Sequence, residues 1–125
     1  MPELTNNILE TIKKKIGAEA DVLGNFDQDL MISINSAFAT LRQVGVGPKE
    51  GFKIDADSTW DDYDISSDID IDMIKDYIYL KVRIIFDPPA SSTILQAYND
   101  QIRELEWRLH VFSDKTYKDP IEVVI

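Results

Sequence analysis

The chain contains no cysteine and only one histidine, His110, among its 125 residues. The absence of cysteine excludes disulfide scaffolds, thiol catalysis, and cysteine-bound zinc or iron–sulfur sites. No serine, threonine or lysine stands in a recognisable nucleophile motif, and His110 lies between the apolar residues Leu109 and Val111. We therefore expect a protein that is not an enzyme, with no catalytic residue, no metal site and no cofactor.

Basic residues and long apolar runs are also scarce. The chain has 13 Lys and Arg against 23 Asp and Glu, a formal charge of -10. A nucleic-acid-binding surface needs clustered Lys and Arg, so this balance argues against one. No apolar run approaches the ~20 residues that span a bilayer, and the N-terminus lacks the basic-then-apolar pattern of a signal peptide. We expect a soluble protein that is made in the cytoplasm and contacts no membrane.

Most of the large apolar side chains fall between Met73 and Phe112. The second half of this stretch has apolar residues at spacings of four, three, four and three, which line one seam of a helix: Tyr98, Ile102, Leu105, Leu109 and Phe112. Pro88 and Pro89 end any earlier helix near Asp87. Thr93 and Gln96 fit a capping box at the start of the next one.

The first half of the stretch fits two kinds of secondary structure. At helical spacing, residues 69–86 form two apolar stripes with a narrow polar strip between them, as in a helix buried on most sides. At a spacing of two, residues 77–86 alternate like a strand rich in β-branched and aromatic side chains. We favour the helix, because the apolar pattern extends back to Ile69 and is long for a strand.

Two further helices are predicted in the N-terminal half. Residues 2–16 form an amphipathic helix with Pro2 in its first turn and Gly17 at its end. A second helix opens near Asn25 or Asp27, both good capping residues. Phe26 is placed to pack back on the first turn of this helix. The helix ends at Gly45, with Val46 contacting Leu41 in a Schellman ending.

The segment after Gly45 breaks these patterns and becomes strongly acidic. Eight aspartates follow with no Lys or Arg between Lys53 and Lys75: Asp55, Asp57, Asp61, Asp62, Asp64, Asp68, Asp70 and Asp72. An EF-hand calcium loop needs glycine at its sixth position, where Trp60 or Met73 stands instead. We interpret the segment as a solvated acidic loop, with Trp60 and Tyr63 either folded back as anchors or pressed on a neighbouring subunit.

Two more features indicate surfaces for partners. Arg103 and Trp107 lie off the seam of the last helix and either decorate a solvent face or form a subunit contact, since Trp and Arg are enriched at binding hot spots. Residues 115–125 form an arm that either folds back on its own domain or adds a strand to another chain, and its strand-prone apolar residues are Ile121, Val123, Val124 and Ile125. The fold we predict is mainly α: a small bundle of about four helices at residues 1–114, with an acidic loop between helices 2 and 3 and an extended C-terminal arm at 115–125.

The run YIYLKVRIIFDPPASSTILQAYNDQIRELEWRLHV, together with INSAFATLRQVGVGPKEGF, resembles the small head-to-tail connector (head completion adaptor) proteins of tailed phages and prophages. The similarity covers about residues 4–112 and is densest from Tyr77 to Leu109. It implies a structural protein of the virion neck that forms a ring, expected to be a dodecamer, under the portal. Such a ring extends the DNA channel without specific DNA binding and presents a platform for the next neck or tail-completion protein.

The resemblance also implies which residues contact partners. Family members dock on the portal through C-terminal segments, which here assigns a portal-binding arm: Tyr117, Ile121, Val123, Val124 and Ile125. For subunit contacts we predict Trp60, Tyr63, Arg103 and Trp107. Two alternatives stay open, and both use the aspartate run. One is an acidic DNA-mimic or inhibitor protein that binds a basic partner, and the other is a metal-dependent enzyme.

Overall fold

The computed structural model describes residues 6–17, 26–63 and 70–113. These ranges contain four α-helices, which we number α1 (Ile8–Ile16), α2 (Asp27–Gln43), α3 (Ile71–Phe86) and α4 (Ser92–Ser113), and a 3₁₀ turn at Trp60–Asp62. No strand occurs in them, and an isolated antiparallel bridge joins Asn7 to Thr59. The prediction of a small, mainly α bundle of about four helices is confirmed.

Helix α3 is the central element of the bundle. It packs against α1, α2 and α4, and its side chains Ile74, Tyr77, Ile78 and Val82 are all 0% exposed. Contact on several sides explains why its sequence carries two apolar stripes instead of one. The helical interpretation of this segment is confirmed, and the alternative strand is wrong.

Helices α3 and α4 form an antiparallel hairpin around the two prolines. The N–H of Asp87 still donates to the carbonyl of Arg83 at 2.7 Å, and the chain then turns through residues 88–91. The predicted capping box at Thr93 and Gln96 is wrong. The Ser91 hydroxyl accepts from the N–H of Ile94 instead, and Gln96 donates to Asp100. The helix can begin earlier because Ser91 follows the corner directly and has a capping side chain.

Helix α1 begins at Ile8, so the single continuous helix predicted over residues 2–16 is interrupted at Asn7. Asn7 has extended backbone angles (φ -77, ψ 129), and its side chain accepts from the N–H of Glu10. This extended backbone bridges to Thr59. The helix therefore starts after the residue that pairs with the loop, while the predicted ending at Gly17 (φ 70) is confirmed.

Helix α2 begins at Asp27, so Asp27 is not its capping residue. The N-cap is Phe26, which makes no side-chain capping bond and is 43% exposed. The predicted packing of Phe26 on the first turn of the helix stays a prediction. Asp27 instead pairs with Lys13 at 3.0 Å and lies where a carboxylate favours the helix dipole. Asn25, the other predicted cap, lies outside the described residues.

The end of α2 is the Schellman ending that the sequence predicts. The N–H of Val46 donates to the carbonyl of Leu41 at 2.8 Å, and the N–H of Gly45 donates to that of Arg42 at 3.0 Å. Val46 and Leu41 are both buried in the core. Gly45 has φ 97, which glycine adopts without strain.

The described helices include none that is both long and apolar enough to cross a membrane. Several predicted features lie outside the described residues: the start of the first helix at Pro2, the acidic residues Asp64 and Asp68, and the C-terminal arm at 115–125. The division into residues 1–114 and 115–125 stays a prediction.

Candidate functional site

The connection between α2 and α3 is held against the bundle by side-chain hydrogen bonds to its backbone. Asn35, in the middle of α2, accepts from the N–H of Ile54 at 2.7 Å and donates to its carbonyl at 3.5 Å. The Asn35 side chain thus satisfies both main-chain hydrogen-bonding groups of Ile54, as a neighbouring strand would in a sheet. Phe52 and Ile54 belong to no helix or strand.

Trp60 fastens the acidic loop, which we define as residues 55–63, to helix α1. The indole N–H donates to the hydroxyl of Thr11 at 3.1 Å, and the side chain is 6% exposed. The Lys75 ammonium lies 5.3 Å from the centre of the indole. Next to it, the N–H of Ile8 donates to the carbonyl of Ser58 at 3.0 Å.

Tyr63 closes the other end of the acidic loop. Its ring lies 4.7 Å from Phe38 and 4.9 Å from Phe52 between centroids, and the residue is 5% exposed. The hydroxyl is buried against Gly47 and has no hydrogen-bond partner among the described residues. Burial raises the pKa of Tyr63 far above its ordinary value, so the phenol stays neutral.

Both aromatic residues of the loop are therefore anchors within the chain's own core. Trp60 and Tyr63 leave almost no side-chain surface for a neighbouring subunit. Their part in subunit contacts stays a prediction. Because both are buried, they would contribute to such contacts by holding the acidic loop in position.

Three of the aspartates make hydrogen bonds that shape the acidic loop. Asp55 accepts from the N–H of Asp57 at 2.9 Å, as in an Asx turn, and Asp62 accepts from the N–H of Thr59 at 2.9 Å. Asp61 accepts from the side chain of Asn6 at 3.0 Å. All of these carboxylates remain exposed. The loop thus presents fixed negative charge to solvent, and much of the aspartate run is explained by turn and cap formation.

No group of three potential ligands among His, Cys, Asp and Glu is arranged to hold a metal ion in the described part of the chain. The aspartates between Tyr63 and Asp70 are not included in that statement.

The outer face of α4 carries the predicted contact residues Arg103 and Trp107. Trp107 is 54% exposed, and it lies on the side of the helix opposite the buried Ile102 and Leu109. Arg103 forms an ion pair with Asp100 on the same face. These two residues share one accessible surface, whereas Trp60 and Tyr63 belong to the core on another side of the bundle.

A second ion pair on this face joins Glu104 to Arg108, at 2.9 Å. Each cation of the face thus has an acidic neighbour along the helix. Such exposed pairs contribute only a few tenths of a kcal/mol to the helix. The surface is therefore nearly neutral, in contrast to the acidic loop.

His110 links the end of α4 to the end of α2. Its Nδ1 lies 3.1 Å from the carbonyl of Val44, the C-cap residue of α2. The contact gives the only histidine of the chain a structural role. It also aligns the last turn of α4 with the core.

The hairpin of α3 and α4 contains two polar contacts that the sequence analysis did not identify. The buried Tyr77 hydroxyl donates to Glu106 at 2.7 Å, and burial together with Glu106 raises the pKa of Tyr77. Arg83 donates to the hydroxyl of Tyr79, which raises the pKa of Arg83, and lies 5.3 Å from the ring of Tyr98. No spacing rule links residues this far apart, so no sequence signal could have found the Tyr77 contact.

Comparison with known proteins gives one family. A family model described as phage connector protein matches residues 8–116. No curated protein and no solved structure matches the chain. The matched region includes all four described helices and ends shortly after α4, so residues 117–125 lie beyond it.

Proposed function

The chain belongs to the phage connector protein family, and from this we propose that it is a structural protein of the phage neck that joins the head to the tail. In this proposal, copies of the chain form a ring of about twelve subunits under the portal and extend the channel for DNA. The observation that carries the proposal is the family match over residues 8–116, which spans the whole bundle. The chain acts by assembly and performs no reaction.

The charge of the chain supports a channel role. Each copy carries a formal charge of -10, and the acidic loop adds fixed, exposed carboxylates. A ring of such subunits repels the DNA phosphates, so the genome passes without binding specifically to the wall.

A closed ring of identical subunits needs two different faces on each subunit. We propose the outer face of α4, with Arg103 and Trp107, as one of them. The second is the acidic loop, which Trp60 and Tyr63 hold in place. Trp107 supplies the large exposed apolar surface typical of a hot spot, and the arginine beside it faces the carboxylates of the neighbouring loop.

The arm after α4 is the portal-binding segment of the proposal. Its apolar residues are Tyr117, Ile121, Val123, Val124 and Ile125. They suit the addition of a strand to another chain. The opposite side of the ring then receives the next neck or tail-completion protein. The chain is made in the host cytoplasm and functions in the virion neck.

The particle mass of the chain mixed with the portal ring from the same genome tests this proposal. We expect a portal ring plus one ring of connector subunits, and the loss of the added mass when the chain is truncated before Lys115. The Ile32→Ser chain is the control: it keeps the arm and loses an exposed isoleucine that lies on neither proposed subunit face, so it should retain the added mass. No association of the full-length chain with an intact portal would refute the proposal.

The exposed carboxylates of Asp55, Asp57 and Asp61 favour one second candidate, an acidic DNA-mimic or inhibitor protein. Such a protein binds a basic partner through charge, so its binding is lost at high salt. Attachment to a portal through an apolar arm survives the same salt. Measuring the mass of the portal complex at low and high salt therefore separates the two functions.

A further inference from the structure

The buried stripe of α3 continues past the last position at which the described residues cover it. Ile74, Ile78 and Val82 occupy one side of the helix and are each 0% exposed. Ile85 is the next residue on that stripe, and it is 63% exposed. The apolar face of α3 is therefore longer than the surface that packs on it.

The apolar seam of α4 is also exposed at the end that lies next to the corner. Ile102, Leu105 and Leu109 are between 0% and 8% exposed, but Ile94, at the start of the same seam, is 47% exposed. Ile94 and Ile85 lie in the helical turns that flank the corner at residues 87–91. We call these two turns, with the exposed Ile85 and Ile94 and the half-buried Phe86 and Leu95, the open end of the bundle.

The open end differs from the other exposed apolar side chains. Ile32 (66% exposed) and Trp107 (54% exposed) lie opposite the buried faces of α2 and α4. Each of them is a single apolar residue on a polar face. At the open end, by contrast, the exposed isoleucine on each helix continues a stripe that is buried elsewhere along the same helix.

We propose that the last five residues of the chain, 121–125, occupy the open end of their own subunit before the portal is met. This inference rests on the proposed function, because it describes where the portal-binding arm lies before the chain binds the portal. Residues 121–125 are IEVVI, with one charged residue among four apolar ones. An apolar segment of this kind is an aggregation hazard unless something covers it.

The length of the arm matches the distance to be covered. From Ser113 back to Ile94, α4 rises roughly 28 Å at 1.5 Å per residue. The eight residues from Ser113 to Ile121 extend to roughly 27 Å at 3.3–3.6 Å each. An arm that runs back along α4 thus brings Ile121 to the first turns of that helix, next to the open end.

Connection within one chain favours the subunit's own arm over the arm of another copy. A short tether holds its two ends at an effective concentration in the millimolar range. At micromolar protein, the arm of the same subunit therefore outcompetes the arm of a second subunit. The portal then has to displace the arm from the open end, so the apolar residues of the arm become exposed only when the chain meets the portal.

The absence of native cysteine allows a direct test by site-directed spin labelling. The full-length chain carries labels at Thr93→Cys, on the exposed first turn of α4, and at Val124→Cys in the arm. We expect a distance distribution between the labels that is centred below about 20 Å. Combining Ile85→Ser with Ile94→Ser should shift it to a broad distribution at longer distances.

The matched control is Ile32→Ser, which removes an isoleucine of similar exposure from another face and should leave the distribution unchanged. A broad, long distribution in the unmodified background, or an equal effect of Ile32→Ser, overturns the inference. A short distance that disappears on dilution with unlabelled chain also overturns it, because the contact then joins two copies. Circular dichroism of each variant checks that the helices remain.

Addition of the portal ring separates this inference from the proposed function. If the portal binds, we expect the short distance to be lost as the arm moves onto the portal, while particle mass records the attachment independently. If the free chain shows the short distance between the labels but adds no mass to the portal ring, the inference about the arm stands and only the portal-binding role is refuted. If the chain adds mass to the portal ring but shows no short distance between the labels when free, only the inference that the arm occupies the open end is refuted.

Discussion

Replacing Gly47 with alanine tests whether the acidic loop depends on the contact beneath Tyr63. Gly47 has φ +94, and a Cβ added there would lie 2.8 Å from the Tyr63 hydroxyl oxygen and 3.1 Å from its Cε1. The positive φ alone costs an alanine about 1–2 kcal/mol. The ring cannot move freely, since it packs at 4.7 Å from Phe38 and 4.9 Å from Phe52. Overpacking of this kind costs about 1–3 kcal/mol.

We therefore expect Gly47→Ala to lower the free energy of unfolding by about 2–5 kcal/mol in urea denaturation followed by circular dichroism. Gly17→Ala is the matched control. Gly17 has φ +70, but its added Cβ meets nothing nearer than the Lys15 carbonyl at 4.0 Å. This control should lose only the backbone component of about 1–2 kcal/mol.

The same contact can be isolated with a double-mutant cycle. Tyr63→Phe alone should change stability little, because its hydroxyl makes no hydrogen bond to any described residue. In the Tyr63→Phe background the atom at 2.8 Å is gone, so Gly47→Ala should cost about 1 kcal/mol less than in the wild type. If Gly47→Ala costs no more than Gly17→Ala, the reasoning about this contact is refuted.

Three further predictions concern other parts of the bundle. Because the folded chain raises the pKa of Tyr63 and Tyr77, their contribution to stability is full below the ordinary tyrosine pKa of about 10 and is lost as the pH rises above it. The urea concentration at the unfolding midpoint should therefore decrease as the pH is raised from about 9 to about 11. This decrease should be smaller when either tyrosine is replaced by phenylalanine. Asn35→Ala leaves both main-chain groups of Ile54 without their partner and should cost about 1–3 kcal/mol, with increased hydrogen exchange at Ile54. Trp107→Ala should change the unfolding free energy by less than about 0.5 kcal/mol but reduce ring assembly measured by particle mass, and a large loss of stability would contradict its surface role.

Local signals in the sequence account for most of the helical architecture. The prolines at 88 and 89 predict the corner between α3 and α4, and Gly17 and Gly45 predict the ends of α1 and α2. These signals act over a few residues, through missing N–H donors and positive φ angles, so they can be read without the fold. The starts of helices were predicted less well, because several neighbouring polar residues can act as the cap.

The candidate site was predicted only in part. The sequence identifies Trp60, Tyr63, Arg103 and Trp107 as notable residues, but it cannot distinguish a buried tryptophan from an exposed one. The indole N–H of Trp60 donates to Thr11, which is 49 positions away along the chain. The two tryptophans thus have opposite environments, one 6% and the other 54% exposed, for reasons that arise from packing alone.

The amino-acid sequence by itself determined the helical class, the proline corner, the glycine endings and the net negative charge, because each depends on local backbone chemistry or on composition. The tertiary structure alone decided which apolar stripes are covered. Val82 is fully buried, whereas Ile85, one turn further along the same stripe of α3, is 63% exposed. Whether a stripe is buried depends on how far the neighbouring helices extend, and that length is a property of the assembled bundle.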